Sequence, residues 1–456
     1  MHPDTPASPV IVIGGGFAGL AAAVQLAAAR LPVVLLEARA QLGGRAFSRF
    51  DPAFGCPLDN GQHAMMGCYR ETLAFLERIG AQHKLQRQNH MRVELVDASG
   101  RHARLEAAAL PSPAHMVAAL ARFTALSPAD RLSAMRAGLR WINMRRRRDP
   151  WLSYGTVADL LDITRQSHRA RQYLWHPIAV ATLNEKPERA AAGPFVEVLA
   201  RAFFGTRTDS QFVFPRVGLS ELYVDDAVRF LIRHGGIVHT RTVAASLVRV
   251  GNRVTAVRSR DGREFPARAV ICAVPPAAAA DLLQDSTLSS SFDYSPILSV
   301  HLRYEGSAPL PPFLGSIGTH TQWLFCRPLS CDPQSTNGGP ASLVSAVISA
   351  AHEETTWDNE RIAATVRNEV ETACPALRKL PCTAARVIRE KRATVSLSPS
   401  ANRARPGIRT ALSNVFLAGD WVATGLPATI ESAVASARQA AHAVVAMHEN
   451  GLRERP

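Results

Sequence analysis

Unbroken apolar runs, helical repeats and alternating stretches follow one another along this chain. Val10–Ile13 is a continuous apolar run, and PVVLLEA, from Pro32, is a second that ends in an acid. Such short runs predict strands buried on both faces, as parallel strands are. Between them, GGGFAGL leads into an Ala-rich stretch to about Arg30 that predicts a helix, so the chain opens strand–helix–strand. From about Glu71 to Gly80, Leu73, Leu76 and Ile79 recur at helical spacing. Residues 104–148 and 153–204 carry longer helical patterns. Pro111, Pro113 and Pro128 split the first, and Pro177, Pro187 and Pro194 predict breaks in the second.

A further helix from about Ser220 leads to HGGIVHT. TVAASLVRV and RVTAVRSR then alternate around Gly251-Asn252, which predicts a hairpin. AVICAV reads as a buried strand, LSVHLRY and SLVSAVIS as strands within 296–350, and 357–373 as a helix. From Asn414, NVFLAGD gives a buried strand, a Gly/Pro break follows, and a helix begins near Ala428. Strand-rich and helix-rich stretches therefore interleave, and no repeat or low-complexity linker separates them.

The 456 residues suffice for two or three domains or one large interleaved one. With 47% hydrophobic and 20% charged residues the balance is that of a globular protein. The net charge of +14 rests on 48 arginines against four lysines. A basic surface suits nucleic acid, an anionic membrane or an acidic ligand. No basic stripe is interleaved with aromatics, so nucleic acid is not an expected partner. Cys56, Cys68, Cys272, Cys326, Cys331, Cys374 and Cys382 form neither CxxC nor a metal-ligand spacing. That predicts a reducing compartment and no metal site. No leader pattern and no run of ~18 apolar residues occurs, so a cytoplasmic protein is expected. Arg145–Arg148, at the end of a helical pattern, reads either as a solvated helix end or as a peripheral contact with the inner face of an anionic membrane.

The chemistry begins at Gly14-x-Gly16-x-x-Gly19, between a strand and a helix. Gly14 permits the tight turn, Gly16 the approach of a pyrophosphate, and Gly19 close packing of helix on strand. The helix N-terminus then offers N–H groups to phosphate. Glu37 stands where an acid accepts from ribose hydroxyls. Gly43-Gly44-Arg45 follows directly, a second close-approach turn with a guanidinium, which points from NAD toward FAD. LDNGQH, Leu58–His63, predicts a loop by the ring: Gly61 beside it, His63 as a donor, Asp59 as an acid or, preferably, a backbone clamp. Asp420, after Gly419, can accept from a ribityl hydroxyl, and the helix beginning with Thr429, Ile430 and Glu431 would aim its N-terminus at the pyrimidine end.

Together these residues resemble the amine-oxidase type of flavoprotein, related to carotenoid desaturases and protoporphyrinogen oxidase. The resemblance implies an α/β fold, in which a discontinuous Rossmann-like FAD-binding domain interleaves with an α+β substrate domain. The FAD domain would take residues 1–70, 215–280 and 400–456, and the substrate domain 71–214 and 281–399. Val243 would lie over the adenine through its backbone. LDNGQHAMMGCYRETLAFLERIGA, YLWHPIAVATLNEKPERA, FPRVGLSELYVDDAVRFL, REKRATVSLSP and FLAGDWVATGLPATIESAV resemble, more narrowly, the hydroxysqualene dehydroxylases of hopanoid pathways. The chain departs from that pattern at Ser432, Ala437 and Val422-Ala423.

The narrower resemblance implies reductive removal of an allylic hydroxyl from a C30 isoprenoid, with hydride from non-covalently bound reduced FAD. His63 first and Asp59 second are the acids it suggests. Lys391 and Arg392 are candidates for charge near the flavin, and Trp175 and His176 for the pocket lining. The electron donor is left open. So are a carotenoid or polyprenoid desaturase, an amine or protoporphyrinogen oxidase, and a non-catalytic flavin-binding subunit.

Overall fold

The structure is a computed structural model and describes residues 8–329 and 341–453; Cys331 lies outside them. Val10–Ile13 and Val33–Leu36 are strands buried at every position, and Phe17–Ala28 is the helix between them. With no polar face to solvate, both strands must be covered on two sides. They become the middle of a five-stranded parallel sheet in the order 237–239, 33–36, 10–13, 269–272 and 415–417. Segments more than two hundred residues apart thus join one sheet. The last helix, Ile430–Arg453, packs along Phe17–Ala28.

A second sheet of seven strands has the order 382–395, 294–305, 341–349, 323–329, 313–317, 92–97 and 102–106. It is antiparallel except where 313–317 meets 92–97. Helices from residues 114–203 pack against its far end, around buried Trp141, Trp175 and Phe195. The predicted hairpin forms as 244–250 against 253–259.

Three expectations are corrected. Residues 102–106 are a strand, not the start of a helical region. Pro177 breaks nothing: it opens the α-helix His176–Leu183, which continues from a π-turn at Arg171–Trp175. The wider turn accommodates a ring that would clash with the Tyr173 carbonyl in an α turn. Pro194 lies in the first turn of Ala192–Phe203, where its missing N–H costs no helical bond.

Candidate active site

The C-terminal ends of the parallel strands open into a cavity of about 790 Å3 that runs on toward the second sheet. Gly14 has φ +104°, and a Cβ there would stand 2.4 Å from the Ala273 carbonyl. A Cβ on Gly19 would meet the Gly14 carbonyl at 1.7 Å, so Gly19 serves helix–strand packing and does not line the cavity. Gly16 and Gly44 pack backbone to backbone at the cavity wall: a Cβ on Gly16 would lie 3.6 Å from the Gly44 Cα, a Cβ on Gly44 would lie 3.0 Å from the Gly16 Cα, and Gly43 N–H donates to the Gly15 carbonyl (2.8 Å). With no Cβ on either, the two turns together present a backbone-lined slot to the cavity at a helix N-terminus, which fits the pyrophosphate of a dinucleotide.

Glu37 is buried at the rim of this slot. Its carboxylate accepts from the N–H groups of Gly15 (2.7 Å) and Arg39 (2.8 Å), which fixes both oxygens and leaves lone pairs for hydroxyls. Thr242 N–H donates to the Glu37 carbonyl (2.8 Å) and brings Val243 to the same wall. The Val243 carbonyl already accepts from Arg260 N–H at 2.8 Å, which narrows what its backbone offers an adenine.

Gly43, Arg45, Gly61, His63, Gly419, Asp420, Thr429 and Ile430 also line the cavity. Arg45 crosses it to bind Asp420 at 2.5 Å and the Ala393 carbonyl at 3.1 Å. The Asp420 carboxylate outweighs the burial that opposes the Arg45 charge, and holds the guanidinium above its ordinary pKa. Burial pushes the His63 imidazole below its ordinary pKa, against a weaker pull from Asp59. Its Nε2 is buried and meets no partner among the described residues.

Two predicted site residues point elsewhere. Asp59 accepts from Ser48 Oγ (2.6 Å) and Leu219 N–H (2.9 Å) and lies outside the cavity lining, so it is a clamp and not an acid within reach. Glu431 is corrected as well. Its carboxylate accepts from the N–H groups of Glu71 (3.0 Å) and Thr72 (2.9 Å) and from Thr72 Oγ1 (2.7 Å). It caps the helix Arg70–Arg78, whose first amides have no intrahelical partner. Lys391 and Arg392 are exposed and outside the lining. Trp175 is core, its indole N–H bonded to Gln166 at 2.8 Å, and His176 does not line the cavity. Arg145 pairs with Glu197, while Arg146, Arg147 and Arg148 are exposed.

Three positioning residues escaped the sequence reading. Tyr223 stacks on Phe17 with ring centres 3.7 Å apart, and its hydroxyl faces the carbonyls of Gly43 (2.8 Å) and Ala46 (2.9 Å). Asn60 bridges the Arg45 carbonyl (2.9 Å) and Phe47 N–H (3.0 Å). Arg405, buried, spans the loop after Asp420. Tyr223 and Asn60 lie inside the quoted stretches FPRVGLSELYVDDAVRFL and LDNGQH, but nothing local marks their partners.

Beyond His63 the cavity becomes apolar. Met91, Leu105, Ile178 and Phe203 line it, with Phe212, Phe313, Trp323 and Phe325 as one aromatic wall. A cleft with a polar slot at one end and a dry arm at the other can hold a dinucleotide beside a long apolar molecule. No group of acidic, His and Cys side chains with metal-holding geometry occurs among the described residues.

The pattern describing flavin containing amine oxidoreductases matches residues 17–445. A hydroxysqualene dehydroxylase of Rhodopseudomonas palustris is 32% identical over 443 residues, which cover 96% of this chain and 98% of that one. A zeta-carotene desaturase of Synechocystis is 24% identical over 96% of this chain and 97% of its own. The crystal structure of cyclohexylamine oxidase from Brevibacterium oxydans shares the fold, with a TM-score of 0.69 over 97% of this chain and 100% of that one at 18% identity. The chain is a flavin-dependent oxidoreductase: it belongs to the flavin-containing amine oxidoreductases and, within them, to the hydroxysqualene dehydroxylases.

Proposed function

We propose that this chain binds FAD without a covalent link and reduces hydroxysqualene to squalene. The observation that carries the reading is one continuous cavity. It joins the slot lined by the Gly16 and Gly44 backbones to an apolar arm, with, on its wall, the His63 nitrogen that has no partner among the described residues. No cysteine among the described residues lines it, which supports non-covalent binding.

When bound, reduced FAD supplies a hydride. Glu37 would hold ribose hydroxyls and the Gly-rich turns the pyrophosphate, and Asp420 with the first turn from Thr429 would receive the ring end. The apolar arm holds the isoprenoid and excludes water from the carbon that loses oxygen. His63, protonated at Nε2, gives its proton to the departing hydroxyl, since hydroxide leaves poorly. The carbon–oxygen bond breaks, water departs, and hydride plus proton account for the two hydrogens added.

A substrate of this kind resides in membranes. On helix Pro128–Arg146, Leu132 and Leu139 are 47% and 60% exposed, with Arg136 and Arg140 beside them, and Arg146–Arg148 follow. This face suits peripheral contact with an anionic bilayer; no helix among the described residues is long and apolar enough to cross one.

Anaerobic incubation of the purified protein with dithionite-reduced FAD and hydroxysqualene tests the reading. Squalene with loss of reduced flavin is expected. A more unsaturated product, or flavin that hydroxysqualene leaves reduced but that amines reduce and air reoxidises, overturns it.

A further inference from the structure

The segment Asp420–Leu426 has no regular structure, yet it forms the wall between the parallel sheet and the last helix. Arg405 reaches it from the helix end at Pro399–Ala404. Only 6% of Arg405 is exposed. Nη1 donates to the Leu426 carbonyl (2.5 Å), Nη2 to the carbonyls of Asp420 (2.7 Å) and Val422 (2.6 Å), and Nε to that of Trp421 (3.3 Å). Ser432 Oγ stands 3.1 Å from Nη2 and 2.6 Å from Thr424 Oγ1. A guanidinium presents five donors in one rigid fork, and here the fork gathers four carbonyls of a single loop.

The charge also forms no direct ion pair among the described residues. Burial pulls the Arg405 pKa down to about 10, which still leaves it cationic at neutral pH. The Asp420 carboxylate opposes that shift through space, but its direct ion pair is with Arg45. In a trans peptide the N–H points opposite to the preceding carbonyl. Arg405 does not line the cavity, whereas Asp420 and Trp421 do. Val422 N–H and Ala423 N–H are taken by the carbonyls of Gly419 and Pro406. The Asp420 carbonyl faces Arg405, so the Trp421 N–H faces the other way.

We propose that Arg405 is a positioning residue for the redox state of the flavin. By drawing the carbonyls of Asp420, Trp421, Val422 and Leu426 out of the cavity, it leaves the Trp421 N–H and the first turn from Ile430 to face the ring. Oriented N–H groups and a fixed cation behind them stabilise the anionic reduced form over the oxidised one. The inference rests on the family's flavin occupying this cavity, not on which isoprenoid is reduced.

The test compares wild type with Arg405→Lys and Arg405→Met, reconstituted with FAD. Midpoint potential is measured by spectroelectrochemical titration, and FAD affinity by fluorescence. Both variants should favour reduced flavin at least tenfold less, a drop of about 30 mV for a two-electron couple. Lysine should not rescue, since one ammonium cannot hold four carbonyls. Flavin-replete Arg405→Lys with the wild-type potential overturns the proposal, and decides it alone if the methionine variant does not fold. Wild type that takes up no flavin would instead sink the reading of the cavity.

Discussion

Arg45 and Asp420, 375 residues apart in sequence, meet in an ion pair on the wall of the cavity. Neither is fully exposed: the side chains are 30% and 7% accessible. The pair joins the second glycine turn of the nucleotide motif to the last buried strand. Asp420→Asn should leave Arg45 without its counter-charge, at a cost of about 1–3 kcal/mol for a partly buried group. FAD affinity should fall at least tenfold, read by titrating the apoprotein and following flavin fluorescence. Unchanged affinity would show that the pair plays no part in cofactor binding.

His63→Gln tests the proton donor. A positioned acid is worth about 10²- to 10⁴-fold, and the single-turnover rate should fall by that order while flavin content holds. The pH dependence has a definite sign. Burial lowers the His63 pKa, so the protonated form is lost as pH rises through a value below 6.5, and the rate should decline over that interval. A rate flat through the acid range, with full activity in the glutamine variant, would remove His63 from the mechanism.

His301 makes a prediction about stability. It donates from Nε2 to the Asp59 carbonyl (3.0 Å) and accepts at Nδ1 from Ser345 Oγ (2.8 Å), so the buried ring is neutral. Burial lowers its pKa from 6.5 to about 4. Between those values the unfolded chain binds the proton and the native one does not, so stability is lost as pH falls from 6.5 toward 4. One group contributes about 1.4 kcal/mol per pH unit there, roughly 3 kcal/mol in all. Denaturant melts at pH 7 and pH 4.5 should differ less in His301→Gln than in wild type by about that amount.

Glu431→Ala should act on the fold and leave the redox chemistry alone. It strands two helix-terminal N–H groups and the Thr72 hydroxyl, at a cost of about 2–4 kcal/mol. Heat unfolding should drop by several degrees, while the flavin potential stays at the wild-type value. A shifted potential would return Glu431 to the ring environment.

Leu139→Glu tests the bilayer face. Co-sedimentation with phosphatidylglycerol vesicles should be strong for wild type, weak for the variant, and absent for both with neutral phosphatidylcholine at moderate salt. Equal recovery of both proteins on either vesicle would dismiss the contact.

What the chain disclosed in advance was local in character. Gly14, Gly16 and Gly44 act through backbone shape and Glu37 through a carboxylate held by neighbouring N–H groups, all in or just after one strand–helix–strand unit, and their spacing carries that arrangement. Glu431 was misassigned because its partners sit at the start of a helix 360 residues earlier, and a first-turn acid looks the same whichever helix it caps. Asp59 ends the strand Cys56–Asp59 and turns its carboxylate to Ser48 and Leu219, while Gly61, past the strand's end, lines the cavity, a change of direction that the LDNGQH string does not display. Arg405 belongs to no motif at all: one arginine among forty-eight acquires its role only from four carbonyls that the fold gathers round it. The strand at 102–106 was hidden because five residues with exposed polar positions resemble the edge of a helix as readily as the edge of a sheet.

The parallel sheet's order has a consequence for how the protein is made. Of its five strands the central one is synthesised first, and one outer strand, Val415–Leu417, last. From residue 272 until residue 415 is made, the strand 269–272 therefore has an unsatisfied edge, and throughout that interval Phe17–Ala28 lacks the helix that covers it. A nascent chain in that condition is a substrate for chaperones and a hazard for edge-to-edge pairing. The cavity shares that order: Asp420 and Thr429 join its wall only after the glycines have waited some four hundred residues, so it is complete only late in folding.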